Sequence, residues 1–142
     1  MGNLCDKAAY ASHGRSALDF VHVFPLSPQA PRQARHSLEP LLGLVPPSLF
    51  VDLQIITSEL VTNTVRHSGG VEGDPITVRV VCTEQRVRLE VEDGGPGFAP
   101  IFQTPTTSST KGWGLFLVDR LSDRWGASPD GMVWSEVDLP AR

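Results

Sequence analysis

The sequence predicts an α+β fold: a two-layer sandwich with helices on one face of a mixed, mostly antiparallel sheet. Three observations carry this. One long segment, Leu49 to His67, repeats its apolar residues at the helical period. Two segments centred on Val80 and Leu89 alternate apolar and polar residues as half-buried strands do. No internal repeat and no second apolar cluster calls for another layer, so residues 18–142 are expected to form one domain behind a flexible tail of residues 1–17.

The elements follow in order. Ala17 to Phe24 puts Leu18, Phe20 and Phe24 on one side and stops at Pro25, which reads as a first strand. Pro28 and Pro31 permit only the start of a helix. Ala34, Leu38, Leu41 and Leu42 continue it at near-helical spacing over Gln33 to Leu42, with Pro40 predicting a kink or an early end. Leu49, Leu53, Ile56 and Leu60 then fall at i, i+4, i+7 and i+11, one stripe of an amphipathic helix that Ser68-Gly69-Gly70 stops. Ile76, Val78, Val80 and Cys82 form one strand and Val87, Leu89 and Val91 the next, joined through Glu84-Gln85 as an antiparallel hairpin. Asp93 to Lys111 reads as a long loop. Leu115, Val118, Leu121 and Trp125 mark a short helix ended by Gly126. Gly131 to Leu139 gives a last strand, facing the core through Val133, Ser135 and Val137 or through Met132, Trp134 and Glu136.

Composition narrows the class. Sixteen acidic residues against twelve Lys and Arg leave a formal charge of −4, and no basic run supplies a footprint for nucleic acid. Two cysteines, Cys5 and Cys82, make neither a disulfide framework nor a zinc site and fit a reducing compartment. No apolar stretch is long enough for a membrane span and no signal-peptide core follows Met1. The expectation is a soluble cytoplasmic protein.

Three stretches could carry chemistry, each with a plainer alternative. Glu59 and Asn63 stand one turn apart on the long helix, projecting side by side roughly 50–90° from the centre of the apolar stripe. A carboxamide oxygen suits Mg²⁺, and a neighbouring carboxylate suits a general base; the alternative is an ordinary i,i+4 pair at an exposed edge. Asp93-Gly94-Gly95-Pro96-Gly97 follows a strand directly, and its glycines let backbone approach a ligand while Asp93 accepts from an exocyclic amine. The alternative is an Asp-Gly turn. Gly112-Trp113-Gly114 opens a helix, whose N-terminal N–H groups and dipole suit phosphate, or which simply begins there. The dinucleotide fingerprint is incomplete, and no P-loop occurs.

Taken together and in order, the three stretches resemble the GHKL (Bergerat-fold) ATPase superfamily, which includes DNA gyrase and histidine kinases. Within it, "SELVTNTVRHSGG", "VEDGGPGF", "GWGLFLVDRLSDRWG" and the closing "GMVWSEVDLP" look like the small anti-sigma-factor serine/threonine kinases, over roughly Leu18 to Leu139. The resemblance implies ATP and Mg²⁺ as cofactors, Glu59 as catalytic base and Asn63 as metal ligand. It implies that Asp93 pairs with the adenine amine, that Gly95 and Gly97 allow close approach, and that Gly112, Gly114 and Leu115 bring the helix N-terminus to the phosphates. Phe98 to Lys111 would be a short lid, with Lys111 within reach of the γ-phosphate or simply solvated. Two positions depart from the subfamily: Thr64 replaces the usual Ala, and Met132 stands where a Thr on the adenine side is common.

Three functions are compatible. The first is a protein serine/threonine kinase that phosphorylates an anti-sigma-factor antagonist and sequesters a sigma factor, with a homodimer implied by the resemblance. The second is a nucleotide-gated partner-binding module, which would not need Glu59. The third, a detached histidine-kinase catalytic domain, would want a helical hairpin carrying an acceptor histidine, which His13, His22, His36 and His67 do not provide.

Overall fold

The computed structural model describes residues 16–67, 70–93, 113–129 and 131–141 of the chain. Five strands form one sheet: β1 (Ser16–Pro25), β2 (Pro75–Thr83), β3 (Arg86–Asp93), β4 (Arg124–Ala127) and β5 (Met132–Asp138), in the order β1-β2-β3-β5-β4. Every pairing in it is antiparallel. Three α-helices pack on one face: α1 (Ala30–His36), α2 (Pro47–His67) and α3 (Trp113–Leu121). α2 lies centrally, touching α1, α3, β3 and β5.

Local chemistry accounts for the boundaries. α1 begins with proline in its first turn, where a missing N–H costs nothing, and ends at His36; Pro40 starts a separate 3₁₀ turn over Glu39–Leu41. The helix expected over Gln33–Leu42 thus begins earlier and ends earlier, as Pro40 required. α2 runs 21 residues with Leu53, Ile56, Leu60 and Val61 buried. The β2–β3 turn is closed by the Thr83 hydroxyl, which accepts from Gln85 N (3.2 Å) and Arg86 N (3.1 Å).

One expectation is corrected. Trp125 and Gly126 do not belong to the second short helix, which ends at Leu121; they lie in β4. Tertiary contacts decide this. Asp123 N donates to Glu136 O at 2.9 Å, the Ser122 and Ser135 hydroxyls meet at 2.6 Å, and both pull the chain onto the edge of β5. Gly126 then sits opposite Trp134, where an added Cβ would fall 3.1 Å from the indole. Gly126→Ala is therefore expected to push Trp134 off the sheet, at a cost of ~1 kcal/mol in urea unfolding with a changed tryptophan emission. Unchanged stability and emission would show the indole to be loosely seated.

The core lies between the helices and one sheet face, built from Ile76, Val78, Val80, Val87, Leu89, Val91, Val133 and Val137 below and Leu53, Ile56, Leu60 and Val118 above. Of the two readings of β5, Val133, Ser135 and Val137 point into it. The opposite face bears a charged ladder. Asp19 pairs with Arg79, Arg79 with Glu90 (3.8 Å), Glu90 with Arg88 (2.8 Å) and Arg88 with Glu136 (3.8 Å). Arg124 bridges Glu136 and Asp138 at one edge. Lys- and Arg-type stems lie flat along such a face while their charges pair, which keeps the sheet from exposing a broad apolar surface.

Candidate functional site

The topology bears on the described parts of the three stretches: Glu59 and Asn63, Asp93, and the start of α3. β3 ends at Asp93, and β5 begins at Met132 opposite Glu92. β4 runs antiparallel to β5 with Arg124 opposite Glu136, so the chain leaving α3 enters the far end of the sheet. The nine-residue α3 spans about 13 Å, which returns its N-terminus, with Gly114 and Leu115, to the Asp93 end. α2 finishes at His67, shortly before β2 starts at Pro75 beside that same end of β3, since Ile76 pairs with Asp93. The last turns of α2, which carry Glu59 and Asn63, thus share an end with Asp93 and the start of α3.

The described side chains differ in burial and in their partners. Asp93 alternates with Val91 and Leu89 onto the helix-facing side of β3 and is 8% exposed. Leu115 is buried in the first turn of α3. Asn63 is half-buried, and its carboxamide Nδ2 is fully enclosed without a hydrogen-bond partner among the described residues. A buried N–H donor in that state is costly unless an acceptor meets it; the amide oxygen, not this nitrogen, is the atom that a cation would take. Glu59 is half-buried one turn earlier. Burial holds its carboxyl above the ordinary carboxylate range, while the positive charges of Arg66 and Arg35 pull it back. Gly95, Gly97, Lys111 and Gly112, and the expected lid Phe98 to Lys111, lie outside the described residues; of the tail expected over residues 1–17, residues 1–15 lie outside them too, while Ser16 and Ala17 open β1.

Two departures noted in the sequence resolve structurally. Thr64 is buried and donates to Leu60 O at 3.0 Å, so its hydroxyl is accommodated within the helix. Met132 pairs with Glu92, so alternation assigns it to the face away from Asp93; Val133 is the neighbour on the Asp93 side. Sequence reasoning missed Arg66 and Arg35. Arg66 lies seven residues after Glu59 and could have been found on a helical wheel. Arg35 is on another helix, and no local pattern points to it.

A family model described as a histidine kinase-like ATPase domain matches residues 24–134, which is more than half of the chain. The chain belongs to the histidine kinase-like ATPase domain family. No curated protein matches it. Family membership agrees with the α+β sandwich and covers Glu59, Asn63, Asp93 and α3 within a single domain match, and the family's description makes ATP the nucleotide that the site suggests. Among the described residues, no helix is long and apolar enough to cross a membrane.

An enclosed carboxamide makes Asn63 separable from its neighbours by mutation. Asn63→Ala is expected to weaken nucleotide affinity in the presence of Mg²⁺ by roughly tenfold or more, as loss of a hydrogen bond to a charged group does. Titration with and without Mg²⁺ checks this: an equal loss in both would make Asn63 a nucleotide contact and not a metal ligand.

Proposed function

We propose that this ATPase-family domain is a protein serine/threonine kinase of the anti-sigma-factor type, acting on an antagonist protein and holding a sigma factor. The observation that carries the reading is Glu59: a half-buried carboxyl of raised proton affinity, one turn from the enclosed amide of Asn63. A module that only senses nucleotide has no use for such a base, whereas a hydroxyl acceptor, with its high pKa, does. The subfamily wording around Glu59, Asp93 and Gly114 supports the same choice.

In this reading Asp93 accepts from the adenine amine, Asn63 holds Mg²⁺ through its amide oxygen, and the first N–H groups of α3 face the phosphates. Bound ATP and Mg²⁺ supply a transferable phosphoryl group whose charge the cation offsets. Glu59 orients the incoming serine or threonine hydroxyl and takes its proton. Cytoplasmic location follows from the same partners. A homodimer is part of the proposal too: Val21 and Val23, 50% and 61% exposed on the open face of edge strand β1, offer apolar surface for a second copy.

Incubation with γ-labelled ATP tests the reading. Acid-stable label is expected on a candidate antagonist protein and none on this chain. Acid-labile label on the chain itself would replace the proposal with a histidine-kinase activity. Nucleotide binding with no label on any of the candidates would replace it with the binding module.

A further inference from the structure

α1 and α2 are joined by a polar contact to which the proposed chemistry assigns no part. Arg35, in the last turn of α1, donates from Nη1 to Ser58 Oγ at 2.8 Å, with both side chains partly buried. The neighbouring basic residues of α1, Arg32 and His36, are exposed. Arg35 is therefore the one cation of that helix turned into the seam where α1 packs on α2. Its partner, Ser58, is the residue immediately before Glu59.

The other charged residues of the three helices are Arg32 and His36 on α1, Asp52, Arg66 and His67 on α2, and Asp119 and Arg120 on α3. Among the described residues, Arg66 and Arg35 are the two whose charge acts on Glu59, both favouring its ionised form. Arg66 shares a helix with Glu59. Arg35 reaches it from a different helix, so the placement of α1 determines where this charge stands. The guanidinium suits the task because it keeps its charge at any working pH and presents several N–H donors in a rigid plane.

We propose that Arg35 is a positioning residue for Glu59: tethered to Ser58, it locks α1 to α2 at the residue that precedes the base, and so fixes the turn of α2 that carries the Glu59 carboxyl. This rests on the reading of Glu59 as the base that meets the acceptor hydroxyl. Loss of Arg35 leaves the nucleotide contacts of Asp93 and Asn63 in place and loosens only the group that addresses the acceptor.

The test begins on the nucleotide-free full chain. In ¹⁵N spectra the Arg35 guanidinium is expected to show slowed rotation. That slowing is expected to disappear in Ser58→Ala, and the Arg35 Nε signal to move in Glu59→Gln. An Nε signal unchanged by Glu59→Gln overturns the proposal. In the phosphoryl-transfer assay, Arg35→Met is expected to lower kcat by roughly 10–100-fold with KM for ATP unchanged, and Arg35→Lys to recover part of the loss. An unchanged kcat, or a loss confined to KM, also overturns it. Ser58→Ala removes the tether without removing the charge, and gives the same kcat readout should Arg35→Met fail to fold. A positive spectrum with no transfer by the unmodified protein would refute the kinase reading and leave the Arg35–Ser58 tether and its influence on Glu59 standing.

Discussion

Asp93→Asn weakens adenine nucleotide binding by about 10²-fold or more while the far-ultraviolet circular dichroism stays unchanged. Asp93 is the last residue of β3, 8% exposed on the face that the helices cover, so a ligand reaching its side chain would meet it in a largely water-free setting. A charged acceptor there is worth about 1.5–3 kcal/mol to one good donor. The Asn amide also turns one of the two acceptor oxygens into a donor, which opposes the amine of adenine. The β3 ladder to β2 and β5 runs through backbone groups and is kept, because the change is nearly isosteric. Calorimetry with ATP and ADP decides the matter: wild-type affinity in this variant would remove Asp93 from the adenine contact.

If the proposed kinase reading holds, Glu59→Gln is expected to keep nucleotide affinity and to lower phosphoryl transfer by roughly 10²–10⁴-fold, the range for a positioned general base. The same substitution should stabilise the fold at neutral pH, and the sign follows from burial. The folded-state pKa of Glu59 is raised above the ordinary value, so the folded protein holds a proton that the unfolded chain has already released. Its contribution to stability is complete below the unfolded-state pKa and is lost as pH rises through the raised folded value. Gln, always neutral, avoids that loss. Thermal unfolding of the two proteins should therefore diverge at neutral pH, with Glu59→Gln melting higher, and converge in acid. A variant that transfers phosphate at the normal rate would exclude Glu59 as the base; equal melting at every pH would exclude the desolvation that makes it one. In the proposed reading, activity and stability pull in opposite directions on this one side chain.

How far each element could be read from the sequence follows from how local its cause was. The Leu53, Ile56 and Leu60 stripe names its own buried face because a 3.6-residue period leaves one solution. The β2–β3 hairpin is equally explicit, since alternation and a short link suffice. Pro40 predicted the break after α1 because a proline ring acts on its own turn. Trp125 and Gly126 misled, since the helical spacing of Leu115, Val118 and Leu121 continues through Trp125. The β4 conformation is instead imposed by Asp123, Ser122 and Trp134 contacts from residues distant in sequence or on another strand.

The candidate site divides along the same line. Sequence alone determined the residue types in the three stretches, their order, and the neighbourhood of Glu59 and Asn63, because one helical turn relates the last two. Tertiary structure alone decided that Met132 faces away from Asp93, since which face a strand residue occupies depends on the register of β5 against β3. It alone enclosed the Asn63 amide and raised the Glu59 proton affinity, because desolvation is a property of everything packed around a group. And it alone brought Arg35 to Ser58: side chains 23 residues apart meet only when α1 folds against α2, and nothing in either helix encodes that encounter by itself.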